Sequence, residues 1–480
     1  MLSFLDYGII LVYFLMLIGI GVISLKKISN ETDFLVAGRR LGYGLYVPAM
    51  TAVVLGGAST FGSSTLGYQY GISGLWLVAM IGLGILGMGI FFSGKLSKLK
   101  IFSVSELLGN RFGKSSRYIS GLIMTVYDIM VSVTAIVAIG VMFTALFGWS
   151  SVNSILVGGV IVVLYTMLGG MWAVTLTDVI QFWIMFIGII LILMPMGIFH
   201  AGGLAEISNR VNPEFLSLTN VGGKAIFAYF LLYFFGMMIG QDIWQRAFTA
   251  KNEKTLRRGT IYAGVLCIIY GIAGAVIGMV ASVVLPGLSD PQQALPQLVL
   301  TVLPTGLVGV LLAAVSSAVM STASGTIMAS STIIVNDFIL SRSKKIRSDK
   351  DIIKLTRIVT LVVGGIAIFI SLVLQDIIVA LDVAYALLSG SIFIPVIAAL
   401  FFKNVSAKVT LTSIIISAVV VIGDLIIEGV SSLNAIIFGL IAGALVMFIG
   451  SLVQTKQSTN QQYEENIETK ELEQVVELER

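Results

Sequence analysis

Apolar runs of 18 or more residues recur from one end of the chain to the other, and each is long enough to cross a bilayer as a helix. Short polar stretches separate them and delimit about 13 spans. These lie near residues 7–26, 43–70, 74–94, 118–147, 152–170, 175–199, 225–247, 259–284, 306–338, 354–375, 379–401, 407–428 and 431–454. The pattern predicts an all-α integral membrane protein of the cell membrane, with the lipid bilayer as its solvent.

The lysines and arginines test this division. "GKLSKLK…NRFGKSSR" (94–117), "RAFTAKNEKTLRR" (246–258), "SRSKKIRSDK" (341–350), "KNVSAK" (403–408) and the basic residues of 26–40 fall in alternate loops, with Arg210 and Lys224 opposite. Such a bias puts the N-terminus outside and the C-terminus in the cytoplasm. The first run reads as a span, not a cleaved leader, because no basic residue precedes it and Lys26 and Lys27 follow it. The polar, acidic stretch 455–480 reads as a solvated cytoplasmic tail, too short for a catalytic domain.

Composition narrows the function. The 480 residues are 57% hydrophobic and 11% charged, against about 25% charged in soluble domains. The net charge of +4 sits in short loops, which fits membrane topology and not nucleic-acid binding. The single cysteine, Cys267, excludes a disulfide framework, and the single histidine, His200, excludes a histidine metal cluster. No G-x-x-x-x-G-K-[ST] occurs, so no P-loop couples ATP to this chain. No nucleophile–base pair is recognisable, and an enzyme is not expected.

Three places break the apolar pattern. Residues 41–94 hold no Asp, Glu, Lys, Arg or His, yet "GGASTFGSS" (56–64) packs glycines among hydroxyls at mid-membrane depth. Close helix contact and an unwound stretch both explain it. An unwound stretch frees carbonyls that lipid does not tolerate, so they must face a cavity, water or a cation. "AVMSTASG" (318–325) is a second run of hydroxyls inside a span. Carboxylates at membrane depth form the third, since each costs a few kcal/mol and needs a reason. Asp178 in "GGMWAVTLTDVIQ" (169–181) points to function. Asp128 either pairs with a helix end or lines a path. Asp242 and Asp337 read as solvated or loop-pairing residues at cytoplasmic ends, and Asp376 and Asp382 flank an external turn.

Taken together, "DFLVAGRRLG" (33–42), "GGMWAVTLTDVIQ", "GQDIWQRAFTAKNEK" (240–254) and "AVMSTASGTIMASSTIIVNDF" (318–338) resemble the sodium:solute symporters, whose members carry proline, pantothenate, sialic acid and sugars. The resemblance runs to about residue 455. It implies the leucine-transporter type of fold, with five-span repeats at 43–199 and 225–401 inverted in the membrane, each opening on a broken or bent span. An N-terminal span and loop (1–42) and two accessory spans (402–454) flank the repeats. The spans opening the two repeats enter from opposite sides by the count above.

The resemblance also implies a site. Na+ is held by the side chains of Ser321 and Thr322 and the carbonyl of Ala318, with the carbonyls of Ala52 and Leu55. Positions 318, 321 and 322 share a helical face. Gly56, Ser59 and Thr60 contact the solute, and Asp178 and Ser324 lie on the inner sodium route. Members with a second sodium carry successive serines at the positions of Ser324 and Gly325, so one sodium is expected here. Val54 and Gly56 replace an acidic residue and a serine of the proline carriers, which sets this chain apart from them.

The implied activity is sodium-coupled import of a small polar solute, such as an amino acid or a monocarboxylate, by alternating access. Proton coupling on the same fold, leaning on Asp178 or Asp128, is the alternative, and a transporter-like membrane sensor is a further one.

Overall fold

The computed structural model describes residues 3–25, 29–342 and 348–453; the expected tail at 455–480, Lys26, Lys27 and residues 343–347 lie outside the described residues. The described chain is helical, and its one β-type pairing is an isolated bridge between Leu41 and Ala250.

An N-terminal helix, α1 (Phe4–Leu25), precedes the first broken span, α2 (Tyr43–Val54) and α3 (Gly57–Tyr70). A tight turn at Gly71–Leu75 leads to α4 (Trp76–Phe91). There follow a short helix α5 (Val104–Phe112) and two long ones, α6 (Lys114–Phe147) and α7 (Ser151–Met185). The second broken span is α8 (Gly223–Ile239) and α9 (Gln241–Ala247), bent by 42° at Gly240. Then come α10 (Glu253–Val284), α11 (Leu307–Ile333), α12 (Asp349–Leu374), α13 (Ile377–Phe401), α14 (Ala407–Ile427) and α15 (Asn434–Val453).

Among the described residues, ten helices are fit by length and composition to cross a membrane, and the bent pair makes eleven. The expected division into about 13 differs at two places. That count takes Gly57–Phe91 as one span, but the chain reverses at Gly71, whose φ is +66°, and a methyl on Gly74 would lie 2.4 Å from the Gly67 amide nitrogen. Helices α3 and α4 therefore run antiparallel. The spans expected at 152–170 and 175–199 are joined without a loop: helical backbone is continuous through α7, with apolar stretches at Ser151–Leu164 and Met171–His200.

Helix α10 organises the first half. It runs parallel to α2–α3, with Tyr46 and Thr260 hydroxyls 2.7 Å apart, and antiparallel to α4. Only a glycine fits at 278, because a Cβ there would lie 2.1 Å from the Ser64 carbonyl oxygen. Packing this close satisfies helix contact in a bilayer, where dispersion replaces the hydrophobic drive.

The two broken spans lie head to tail. Near the start of α2, Leu41 donates its amide to Thr249 (2.9 Å) and receives that of Lys251 (3.0 Å), just past the end of α9. At the other face, Asn220, ahead of α8, donates to the carbonyl of Tyr70 at the end of α3 (3.1 Å). The span that opens the second half thus runs opposite to the span that opens the first.

The hydroxyl-bearing α11 sits at the centre, 89% buried along its apolar length, against α6, α7 and α1. Asp6 of α1 receives the amides of Gly306 and Gly309 at the start of α11 (both 2.8 Å), a carboxylate on the positive end of a helix. Helices α1, α12 and α15 are mostly uncovered, which places them at the rim.

Candidate functional site

Helix α2 ends at Val54, and regular geometry resumes at Gly57, so Leu55 and Gly56 form an unwound hinge. The freed carbonyls are not left bare. Ser59 donates its hydroxyl to Val54 O (2.5 Å), Thr60 donates to Leu55 O (3.1 Å), and Thr322 of α11 donates to Val53 O (2.8 Å). Each such bond removes a penalty of about 1–3 kcal/mol for an unpaired buried group. Two hydroxyls of "GGASTFGSS", Ser59 and Thr60, thus have a physical reason: they close a break that lipid would not tolerate, while Ser63 and Ser64 bond back within α3.

Close packing and unwinding turn out to be one device. A Cβ on Gly56 would fall 1.6 Å from the Thr322 hydroxyl, and one on Gly57 would fall 2.8 Å from the Ala138 methyl. The hinge is pressed against α11 on one side and α6 on the other.

On α11, Ser316, Ser317, Thr326, Ser331 and Thr332 donate to the carbonyl four residues back on their own helix. Ser321 and Thr322 leave the helix instead. Thr322 reaches the hinge, and Ser321 donates to Asp178 Oδ1 of α7 (2.5 Å). Asp178 Oδ2 in turn pairs with the Arg246 guanidinium of α9 at 3.1 Å, both side chains being about fully buried. Arg246 lies flat on α11, where a Cβ on Gly325 would come within 2.6 Å of it.

A model of the sodium:solute symporter family matches residues 34–417. The chain belongs to that family. The high-affinity proline transporter PutP of Bacillus subtilis (strain 168) is 30% identical over 84% of this chain and 88% of that protein. A sodium/pantothenate symporter of Haemophilus influenzae is 26% identical over 86% of this chain and 89% of its own length. Among solved structures, the substrate-bound outward-open state of a Na+-coupled sialic acid symporter superposes with a TM-score of 0.80. It covers 94% of this chain and 98% of its own, at 21% identity, a likeness of fold. The architecture is the leucine-transporter type that the motifs implied.

The family motifs have structural work to do here. Gln241 donates to Phe102 O and receives the Val104 amide, which fixes the break of the second span to α5. Gln245 donates to Leu35 O, inside the first loop, and to Thr332 on α11. Arg246 completes the run through Asp178.

The residues expected at the site fare differently. Ala52, Leu55, Ala318 and Ser321 are wholly buried and Thr322 is 5% exposed, so none faces lipid. Gly56 and Ser59, together with Thr322, line a small cavity beside the hinge. Thr60 does not reach it; its hydroxyl is 2.9 Å from that of Tyr270 on α10. Ser324 donates to Ser321 O on its own helix (3.1 Å).

Of the two carboxylates read as solvated or loop-pairing end residues, Asp337 pairs with the 94–117 segment and Asp242 does neither. Asp337 is buried and receives Ser103, Ser105 and Arg117, which joins α11 to α5 and α6. Asp242 is 2% exposed and lines the cavity opposite the hinge, with the Tyr127 hydroxyl donating to it at 3.1 Å. Its place two residues after Gly240 was the available signal: the second break, like the first, falls at a glycine, and Asp242 sits just past it. Asp128 is also fully buried, and neither of its carboxylate oxygens has a hydrogen-bond partner.

Proposed function

We propose that the protein imports a small polar organic solute, of the amino-acid or monocarboxylate kind, by coupling it to the inward movement of one sodium ion. The observation that carries this reading is the pair Ser321 and Thr322, whose hydroxyls turn away from their own helix toward Asp178 and the hinge. Sodium is a hard cation suited to oxygen ligands. In this reading Ala52, Leu55 and Ala318 supply carbonyls and Ser321 and Thr322 supply hydroxyls. Gly56 and Ser59 meet the solute, and Asp178 receives the ion on its way in.

A single sodium is supported by the surroundings of Gly325. Arg246 covers that face of α11, and Ser324 is bonded to its own helix, so a second cation meets a guanidinium there. The halves 43–199 and 225–401 are the inverted repeats of this reading, with the N-terminus outside and 455–480 in the cytoplasm.

The energy is adequate. One charge crossing 100 mV is worth about 2.3 kcal/mol, and a tenfold sodium gradient adds about 1.4 kcal/mol. Their sum supports accumulation on the order of several hundredfold for a net-neutral solute.

Replacing external sodium with potassium or choline is expected to abolish uptake into vesicles. Ser321→Ala and Thr322→Ala are each expected to raise the half-saturating sodium concentration about tenfold or more. Unchanged sodium dependence in both variants places the ion elsewhere. Uptake driven by a pH gradient without sodium would mean proton coupling instead.

A further inference from the structure

We propose that the transported solute carries a protonated amine, and that Asp242 and Asp128 receive it. This rests on the symport reading and narrows the solute class within it. Asp242 is the carboxylate that lines the cavity beside the hinge. It begins helix α9, and Arg246, one turn on, donates to its backbone carbonyl at 3.4 Å, not to its carboxylate. The carboxylate itself receives the Tyr127 hydroxyl, and its negative end faces the cavity with acceptor capacity to spare.

Asp128 stands next to Tyr127 on α6, and Val131, three residues on and hence on the same helical face, lines the cavity. It interacts electrostatically with both Asp242 and Tyr385, two cavity residues. Neither of its oxygens meets a donor. A carboxyl that holds its own proton donates that proton to an acceptor, and Asp128 has no such acceptor either. The group at this place is built to accept N–H bonds that the chain does not supply.

Charge counting points the same way. Asp128, Asp178 and Asp242 are all buried, and Arg246 is the one fully buried lysine or arginine among the described residues. Arg246 is held by Asp178. Neither Asp242 nor Asp128 receives a hydrogen bond from a cationic side chain, and a carboxylate at that depth favours a cationic partner. An ammonium group supplies one. No basic side chain lines the cavity to receive a carboxylate, so a monocarboxylate without an amine meets repulsion from Asp242.

The test uses purified full-length protein and thermal shift in sodium or potassium chloride. The ammonium probes are L-alanine, L-proline and putrescine. The matched compounds without ammonium N–H are propionate, N-acetyl-L-alanine and glycine betaine. At least one ammonium probe is expected to bind in sodium, and none of the others. Asp242→Asn and Asp128→Asn are each expected to weaken that binding at least about thirtyfold, with the shift given by sodium alone reporting that the variants are folded. Binding of propionate, N-acetyl-L-alanine or betaine as tight as that of the amines overturns the proposal. So does the failure of all three amines, or full affinity in both asparagine variants. Absence of a sodium shift in the unaltered protein sinks the symport reading separately, since amine binding is scored in both salts.

Discussion

Gly56→Ala is expected to abolish solute uptake, although it adds a single methyl. The new carbon would lie 1.6 Å from Oγ1 and 2.4 Å from Cβ of Thr322. Neither atom belongs to the loose end of a long side chain, so the hinge and α11 must part. Thr322 then loses Val53 O, and the hinge loses the contact that the sodium reading depends on. Overpacking a tight core costs about 1–3 kcal/mol, a bias of roughly five- to 160-fold on a two-state carrier, and it falls on the contact that joins the hinge to α11. Gly62→Ala is the control. It lies past the hinge, on α3, and a Cβ there meets its nearest neighbour, Leu77, at an ordinary 3.6 Å. It is expected to keep uptake and to stabilise α3 slightly, since alanine is the better helix former by about 1 kcal/mol. Initial uptake rates at equal protein in the membrane decide the comparison. Near-normal rates for Gly56→Ala mean that the hinge and α11 do not need to touch.

The second large effect concerns Asp178 and Arg246. Removing one member of a buried ion pair strands the other and costs about 3–5 kcal/mol. Arg246→Met leaves Asp178 with only the Ser321 hydroxyl, and Asp178→Leu leaves Arg246 with only the Asp242 carbonyl. Each single variant is expected to lose thermal stability in detergent and most uptake. The double variant Asp178→Leu with Arg246→Met removes both charges. It is expected to regain stability but not uptake, because Ser321 has lost the partner that holds its hydroxyl off the helix. A double-mutant cycle with strict additivity in stability means that the pair contributes no coupling. Recovery of uptake in the double variant means that Asp178 serves the fold alone.

These expectations differ in origin. Thr322 and Ser321 stood out in the sequence because hydroxyls in an apolar span are rare enough to notice. Their importance over Ser316, Ser317 and Ser331, which look equivalent along the chain, came from family resemblance. The structure supplies the physical distinction, since those three bond back to their own helix. Thr60 shows the reverse case. It shares a hydroxyl-rich segment with Ser59, yet a one-residue rotation of about 100° on a helix turns it to Tyr270.

Hydropathy by itself determined that the chain crosses a bilayer many times, because burying backbone in lipid demands long apolar helices and little else satisfies it. Glycines amid hydroxyls marked the break near Gly56 for the same reason, since freed carbonyls need local donors. The bond between Asp178 and Arg246, the burial of Asp242 and Asp337, and the pressing of Gly56 onto Thr322 were decided only by tertiary structure. A carboxylate near a basic loop has the same sequence signature whether it is solvated or buried. Which it becomes depends on how distant helices cross, and Asp242 and Thr322, 80 residues apart, share a cavity wall only because the two breaks and α11 meet there.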